Sequence, residues 1–260
     1  MTDTPSILTG AVAADVASAP FPHLLRLGCL GPDAFERLAG AFPKPSFPAG
    51  TPQNFLALLD PFAAGVDAAL TETWRRFAAH HVSAAFWREM VAVLGPALRR
   101  THPGLEARLG APLEAVATAP VGAASDAPVR LGVQFGFNTP VTTPSSVRGV
   151  HIDKARRLVS ALLYMPEPGD DAGGDLVLYR FRDARRFDGV TAALADVEPV
   201  TRVGYAANTL IMFVNSVESL HGVLPRRPTE RARRYVNFYV DVALDSDLVD
   251  ASPFQATAAG

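Results

Sequence analysis

From Pro120 onward the chain is written in short segments rich in Val, Leu, Phe and Tyr, each cut off by a cluster of Gly, Pro, Asn or Asp. Segments of this length suit strands, and the residues between them tolerate the backbone angles that reversals need. The pattern predicts strands at 129–137, 147–153, 157–165, 175–181, 209–214, 219–224 and 233–242. That is an all-β sandwich or barrel of about 120 residues.

The front of the chain reads differently. Residues 1–20 form a flexible or lightly docked arm, and Phe21 to Leu30 an edge strand. Gly31-Pro32-Asp33 opens a helix, with Pro at the first helical position and an acid in the first turn. Phe35, Leu38, Ala39 and Phe42 make its apolar stripe, and prolines 43, 45 and 48 end it. From Asn54 to about Arg100 the pattern stays helical, broken around Pro61 and Gly95-Pro96, with Trp74, Phe77, His81, Phe86, Met90 and Leu94 on buried faces. His80, His81 and His102 read as packing residues among aromatics. The expected organisation is therefore a mainly β chain with a helical N-terminal part (α+β). One domain spans 21–245, with its helical front at 21–118 and β core at 119–245, and a tail follows at 246–260.

Composition excludes several classes. The net charge is −2 and no basic stripe is present, so a nucleic-acid footprint is not expected. Arginines gather at 180–186 and 226–234, read as a solvated face. A single cysteine, Cys29, rules out a disulfide framework or a cysteine-based zinc site and suits a reducing compartment. It reads as a buried small hydrophobe. The start of the chain lacks a basic, then apolar, secretory pattern, and no apolar run reaches membrane-spanning length. A cytoplasmic protein without membrane partners is the expectation.

The chemistry concentrates in His151-Ile152-Asp153. In a strand, residues i and i+2 share a face, so an imidazole and a carboxylate enter one space while Ile152 packs behind. His221, about 70 residues later at the head of His-Gly-Val-Leu-Pro, follows the strand-like run Leu210–Val214 and supplies a third ligand if the strands face each other. Two histidines and a carboxylate leave open positions and suit iron(II) oxygen chemistry, although zinc stays open on this pattern alone. Arg231, Arg233 and Arg234 open the last strand. Arg231, Arg233, Tyr235 and Asn237 share a face if it is regular. Arginine grips a carboxylate bidentately, and Tyr164 offers a second hydrogen bond from an otherwise apolar strand.

Between 148 and 241 the chain resembles the prolyl-hydroxylase-type branch of the 2-oxoglutarate/iron(II) oxygenases. The matching stretches are Arg-Gly-Val-His-Ile-Asp, Ala-Leu-Leu-Tyr-Met-Pro, Gly-Gly-Asp-Leu, Val-Glu-Pro-Val, Asn-Thr-Leu-Ile-Met-Phe, His-Gly-Val-Leu-Pro and Arg-Arg-Tyr-Val-Asn-Phe-Tyr-Val, in the family's order. The resemblance implies a double-stranded β-helix (a cupin-like jelly roll) flanked by helices. It implies His151, Asp153 and His221 as iron ligands, and an arginine with Tyr164 on the distal carboxylate of 2-oxoglutarate. Strand register assigns that arginine to Arg233, whereas the family's spacing from the distal histidine favours Arg231. It implies dioxygen as the other co-substrate, with ascorbate as a reductant. The carboxylate at Asp153, where related halogenases keep a small residue, points to hydroxylation. Gly173-Gly174 reads as a strand entry close to the site. Arg148, Gln134, Asn138, Asn237 and Asn215 are candidates for the substrate side. The expected substrate is a small molecule, such as an amino acid or natural-product intermediate. Two alternatives stay open: hydroxylation of a protein or peptide residue such as proline, and a cupin-like protein that binds metal or ligand without turnover.

Overall fold

The structure, a computed structural model, describes residues 5–44, 46–63, 66, 70–183 and 189–243. The expected tail at 246–260, and Arg185 and Arg186 of the first arginine group, lie outside the described residues. Elements follow in the order β1 (His23–Leu27), α1 (Pro32–Gly40), β2 (Leu56–Leu59), α2 (Glu72–His81), α3 (Ala84–Thr101), α4 (Leu105–Leu109), β3 (Thr118–Pro120), β4 (Val129–Asn138), β5 (Arg157–Tyr164), β6 (Leu176–Phe181), β7 (Val197–Val203), β8 (Thr209–Val214), β9 (His221–Val223) and β10 (Arg233–Val242).

The strands form two sheets. The larger has seven strands in the order β1-β8-β5-β10-β4-β2, with β3 also on β4, and the smaller is β7-β6-β9. All pairs are antiparallel except the short β3–β4 contact. One face of the large sheet carries Phe135, Phe137, Val159, Ala161, Leu163, Leu210, Met212, Val236 and Phe238. These merge with Trp74, Phe77, Trp87, Met90 and Leu94 of the helices into the main core. The other face turns to the small sheet through Tyr164, Ile211, Phe213 and Tyr235 against Leu176, Leu178 and Val203. On this second face Tyr235 and Tyr239 lie flat across Gly136 and Gly132. A Cβ on either glycine would fall 2.2–2.3 Å from the tyrosine ring.

The expected double-stranded β-helix is corrected by this pairing. Among the described residues neither sheet closes into a barrel: the large one ends at β1 and β2, the small one at β7 and β9. Segment 147–153, expected as a strand, makes no ladder. His151 instead forms isolated bridges to His221 and Thr191, and among the described residues no ladder joins the two sheets. The fold is mixed α and β, with two separate sheets.

Other departures have local causes. Leu56–Leu59 is an edge strand on β4 rather than helix, because pairing overrides a helix-compatible run of Leu and Ala. β7 carries Pro199 and sits at an edge, where a missing N–H is harmless. Pro96 does not break α3. The buried Trp87, Met90, Val91, Val93, Leu94, Ala97 and Leu98 hold that helix together against a penalty of about 3 kcal/mol. Thr71 and Ser83 cap α2 and α3 by accepting from the amides of Trp74 and Phe86. No helix among the described residues is long and apolar enough to cross a membrane.

Residues 5–11 are docked, with Ile7 and Leu8 buried. The Ile7 amide donates to Nε2 of His81 (3.2 Å), whose Nδ1 donates to the Phe77 carbonyl (2.7 Å). Burial pushes the His81 imidazole down to about 3, so it stays neutral. Below the ordinary histidine value the unfolded chain therefore takes up a proton that the folded chain refuses. Stability contributed here is present at neutral pH and is lost as pH falls from about 6.5 towards 3. Denaturant titrations of wild type and His81→Phe should show this. The variant is less stable at pH 7, and its stability declines less steeply between pH 6 and 4, by about one proton.

Candidate active site

The backbones of His151 and His221 exchange two hydrogen bonds, each 2.9 Å from N to O. Residues paired this way in antiparallel geometry present their side chains on the same face, and here the two ring centroids lie 4.2 Å apart. Gly222 makes the approach possible. A Cβ there would meet the Gly149 carbonyl at 3.1 Å and the Val150 nitrogen at 3.2 Å. The i, i+2 relation then brings in Asp153, whose Oδ1 is 3.9 Å from Nε2 of each histidine. One ligand atom from each of the three residues lies within 4.8 Å of the others, a 2-His-1-carboxylate group able to hold a metal ion.

Each ligand is oriented by a neighbour. His151 Nδ1 donates to the Gly149 carbonyl and His221 Nδ1 to the Ser219 carbonyl, both at 2.8 Å. A carbonyl only accepts, so the proton sits on Nδ1 and the Nε2 lone pair is free for an ion. Burial, aided by the facing His221, holds His151 down to about 3, and burial lowers His221 as well. Ser160, on β5, donates to Asp153 Oδ2 at 2.5 Å and leaves Oδ1 facing the imidazoles. Burial opposes ionisation of Asp153, but the Ser160 hydroxyl and the Arg157 charge favour it and the carboxyl is held below its usual range. Neutral imidazoles and an ionised carboxylate are the states in which these groups ligate a divalent cation.

A second cluster lies on the same side of the large sheet. Arg233, first residue of β10, is 2 % exposed and forms no ion pair among the described residues. Its Nη2 donates to the Gly174 carbonyl at 3.2 Å. Its guanidinium carbon lies 4.8, 5.0 and 5.1 Å from the rings of Tyr205, Tyr164 and Tyr235. Arg233 Nε, the Tyr164 hydroxyl and both amide atoms of Asn138 are buried without a hydrogen-bond partner among the described residues. Asn138 is the cross-strand partner of Arg233, and Tyr164 that of Tyr235, so these groups share one face. Burial raises the Tyr164 phenol, which therefore stays a donor.

Arg231 lies before β10 begins, so the alternation expected for the strand does not reach it. It is exposed, donates to the Gly169 carbonyl (3.0 Å) and lies 4.0 Å from Glu167. Arg234 faces the helices, above the Phe42 ring. Gln134 and Asn237 share the site's face and contact each other at 3.4 Å. Asn215 does not line the site. Its amide donates to the carbonyls of Lys154 and Arg157 and accepts from Ser219, a brace beneath the ligand loops. Arg148 is half-exposed beside Asp153. Gly173 and Gly174 adopt φ of +84° and +88°, and a Cβ on Gly174 would strike Arg226 at 2.8 Å.

Arg226 is the residue that local sequence reading missed. The arginine group at 226–234 is not uniformly a solvated face: Arg226 is 1 % exposed, and its Nη2 donates to both carboxylate oxygens of Asp170 at 2.9 and 3.0 Å. That pairing joins residues far apart in sequence, and no local period reports it. Tyr205 was missed likewise: its hydroxyl accepts from the Arg234 amide at 2.7 Å and its ring backs Arg233.

The profile of the 2OG-Fe(II) oxygenase superfamily matches residues 142–241, so the chain carries a domain of that kind around the triad. A search of curated proteins gives no match. Among solved structures, a prolyl-4-hydroxylase from Pseudomonas putida is 18% identical with a TM-score of 0.45, covering 92% of this chain and 100% of its own. A prolyl 4-hydroxylase from Phytophthora capsici is 16% identical at 0.47, covering 90% and 68%. HygX from Streptomyces hygroscopicus, solved with nickel and 2-oxoglutarate, is 14% identical at 0.44, covering 85% and 83%. These similarities are low, and the functional argument stands on the triad and the matched domain: a 2OG/Fe(II)-oxygenase-type active site, the equipment of a dioxygenase.

The Ser160 hydrogen bond is testable. Ser160→Ala should weaken metal binding about tenfold or more while leaving the melting temperature of the metal-free protein nearly unchanged, and Ser160→Thr should restore most of the loss. Metal titration followed by calorimetry measures it.

Proposed function

We propose that the chain is a non-haem iron(II)- and 2-oxoglutarate-dependent dioxygenase that hydroxylates an unactivated C–H bond of a small molecule. The supporting observation is Arg233. An isolated buried guanidinium costs several kcal/mol, and contacts with three tyrosine rings return only about 0.5–2 kcal/mol each. A buried cation that meets no carboxylate among the described residues, flanked by a phenol and an amide that find no partner among them either, fits an anion. The distal carboxylate of 2-oxoglutarate suits it, with Arg233 and Tyr164 donating and Asn138 completing the set.

The donor set of the triad fits iron(II): two neutral imidazoles and one carboxylate with open positions beside them. When bound, the metal with 2-oxoglutarate and dioxygen supplies the oxidising power that inserts one oxygen atom into the substrate as the co-substrate becomes succinate and CO₂.

The chain's own residues do the rest. Nδ1–H bonds fix both imidazoles, Ser160 turns the carboxylate, and the Tyr164–Tyr205–Tyr235 wall excludes water from Arg233, which strengthens its hold on an anion. The carboxylate at Asp153 fills the coordination position that a halogenating site keeps for its halide, and this favours hydroxylation. The ordered stretches between 148 and 241 favour the prolyl-hydroxylase-like branch, and a peptide residue is the second substrate class that branch offers. A binding protein without turnover leaves Arg233 unexplained.

Anaerobic titration with iron(II) and 2-oxoglutarate should give a weak visible charge-transfer band. His151→Ala should abolish it, and Arg233→Gln should raise the 2-oxoglutarate dissociation constant at least about a hundredfold, consistent with loss of a buried charged hydrogen bond worth ~3 kcal/mol. Arg231→Gln should change it less than about threefold. A folded, iron-loaded protein that gives no band with 2-oxoglutarate overturns the proposal.

A further inference from the structure

The half-exposed cation at the mouth of the triad has no role in the reading above, and the inference drawn from it rests on that reading. Arg148 stands three residues before His151. Its backbone is fixed, since its carbonyl accepts from the Val223 amide (3.1 Å) and the Ser146 hydroxyl (3.1 Å). Its side chain is 50% exposed, and one guanidinium nitrogen lies 3.7 Å from Asp153 Oδ1, its one ionic neighbour among the described residues. That oxygen is the atom 3.9 Å from both histidine Nε2 atoms, the one that turns to an ion when the triad is filled. At 3.7 Å the contact with Arg148 is looser than a hydrogen bond. Ser160, not Arg148, orients the carboxylate.

Charge accounting sharpens the point. A divalent ion and Arg233 together bring three positive charges. Asp153 and the 2-oxoglutarate dianion bring three negative ones. The loaded site is neutral without Arg148, which is left with a whole positive charge, its anionic neighbour now shared with the metal. The buried groups around Arg233 lie deep in the fold, whereas Arg148 opens to solvent beside the triad. We infer that Arg148 anchors a carboxylate of the primary substrate, which is therefore a carboxylic acid, free amino acids included. A guanidinium fork matches a planar carboxylate with two parallel hydrogen bonds. One carboxylate group matches the single guanidinium, which a phosphate dianion overshoots.

The test uses the full chain loaded anaerobically with iron(II) and 2-oxoglutarate. The probes are a panel of L-amino acids, their matching carboxamides, and inorganic phosphate. The readout is the shift of the charge-transfer band on binding, with no turnover required. At least one amino acid is expected to shift the band, with its carboxamide binding at least about tenfold more weakly and phosphate weaker than the acid. In R148Q the acid and amide should bind alike, and R148K, which keeps the charge but loses the fork, should retain part of the preference. Carboxamides that bind as tightly as acids, an undiminished preference in R148Q, or silence from every acid in the panel overturns the assignment. These failures are distinct from failure of the oxygenase reading, in which the band itself does not form in wild type.

Discussion

The site depends on a two-residue backbone pairing. His151 and His221 come from segments 70 residues apart in the chain, and neither segment contributes a long strand to the other. Two amide hydrogen bonds, each worth about 1 kcal/mol net, set the spacing of the imidazoles, and Gly222 lets the backbones come close enough to make them. Everything else at the triad is adjustment of that frame. Carbonyls of Gly149 and Ser219 select the tautomers, Ser160 turns the carboxylate, and Asn215 braces the loops underneath. The large sheet, packed on its helices, is the rigid body against which this small assembly is held.

The two buried arginines show how differently one residue type is used within a few ångströms. Arg226 carries its own counter-ion in Asp170 and joins the 166–174 loop to the turn before β10. Its charge is neutralised inside the fold, so its business is architecture. Arg233 has tyrosine rings and one carbonyl, and no acid among the described residues. A protein tolerates such an imbalance where a ligand restores it. Gly174 stands between the two, with its Cβ direction occupied by Arg226 and its carbonyl holding Arg233.

Much of this was legible in the residues, and the rest was not for physical reasons. His151, Asp153 and His221 stood out because i, i+2 spacing is a local property of extended chain, and the structure brings the three together although segment 147–153 is not a strand. The β segments at 129–138, 157–164, 176–181, 209–214 and 233–242 follow their apolar texture closely. Leu56–Leu59 was misread as helix because its residues suit either state and the deciding partner, β4, lies far away. The expectation of a jelly roll failed at the junction of the sheets, where bridging replaces a ladder, a distinction no residue pattern expresses. Arg226 escaped for the same reason as β2, since its meaning resides in Asp170. Asn215 looked like a polar group bound for a pocket, but the loop carbonyls it serves can be counted only in three dimensions.

The rings laid across glycine on the inner sheet face carry a genetic implication. Gly136 has no space for even a methyl group while Tyr235 covers it, and the same ring borders the guanidinium of Arg233. Positions 136 and 235 are therefore one heritable unit: drift at the first is tolerated only if the second shrinks or swings, and either response redraws the wall around a buried cation. The packing around Arg233 thus constrains a residue that has no side chain of its own.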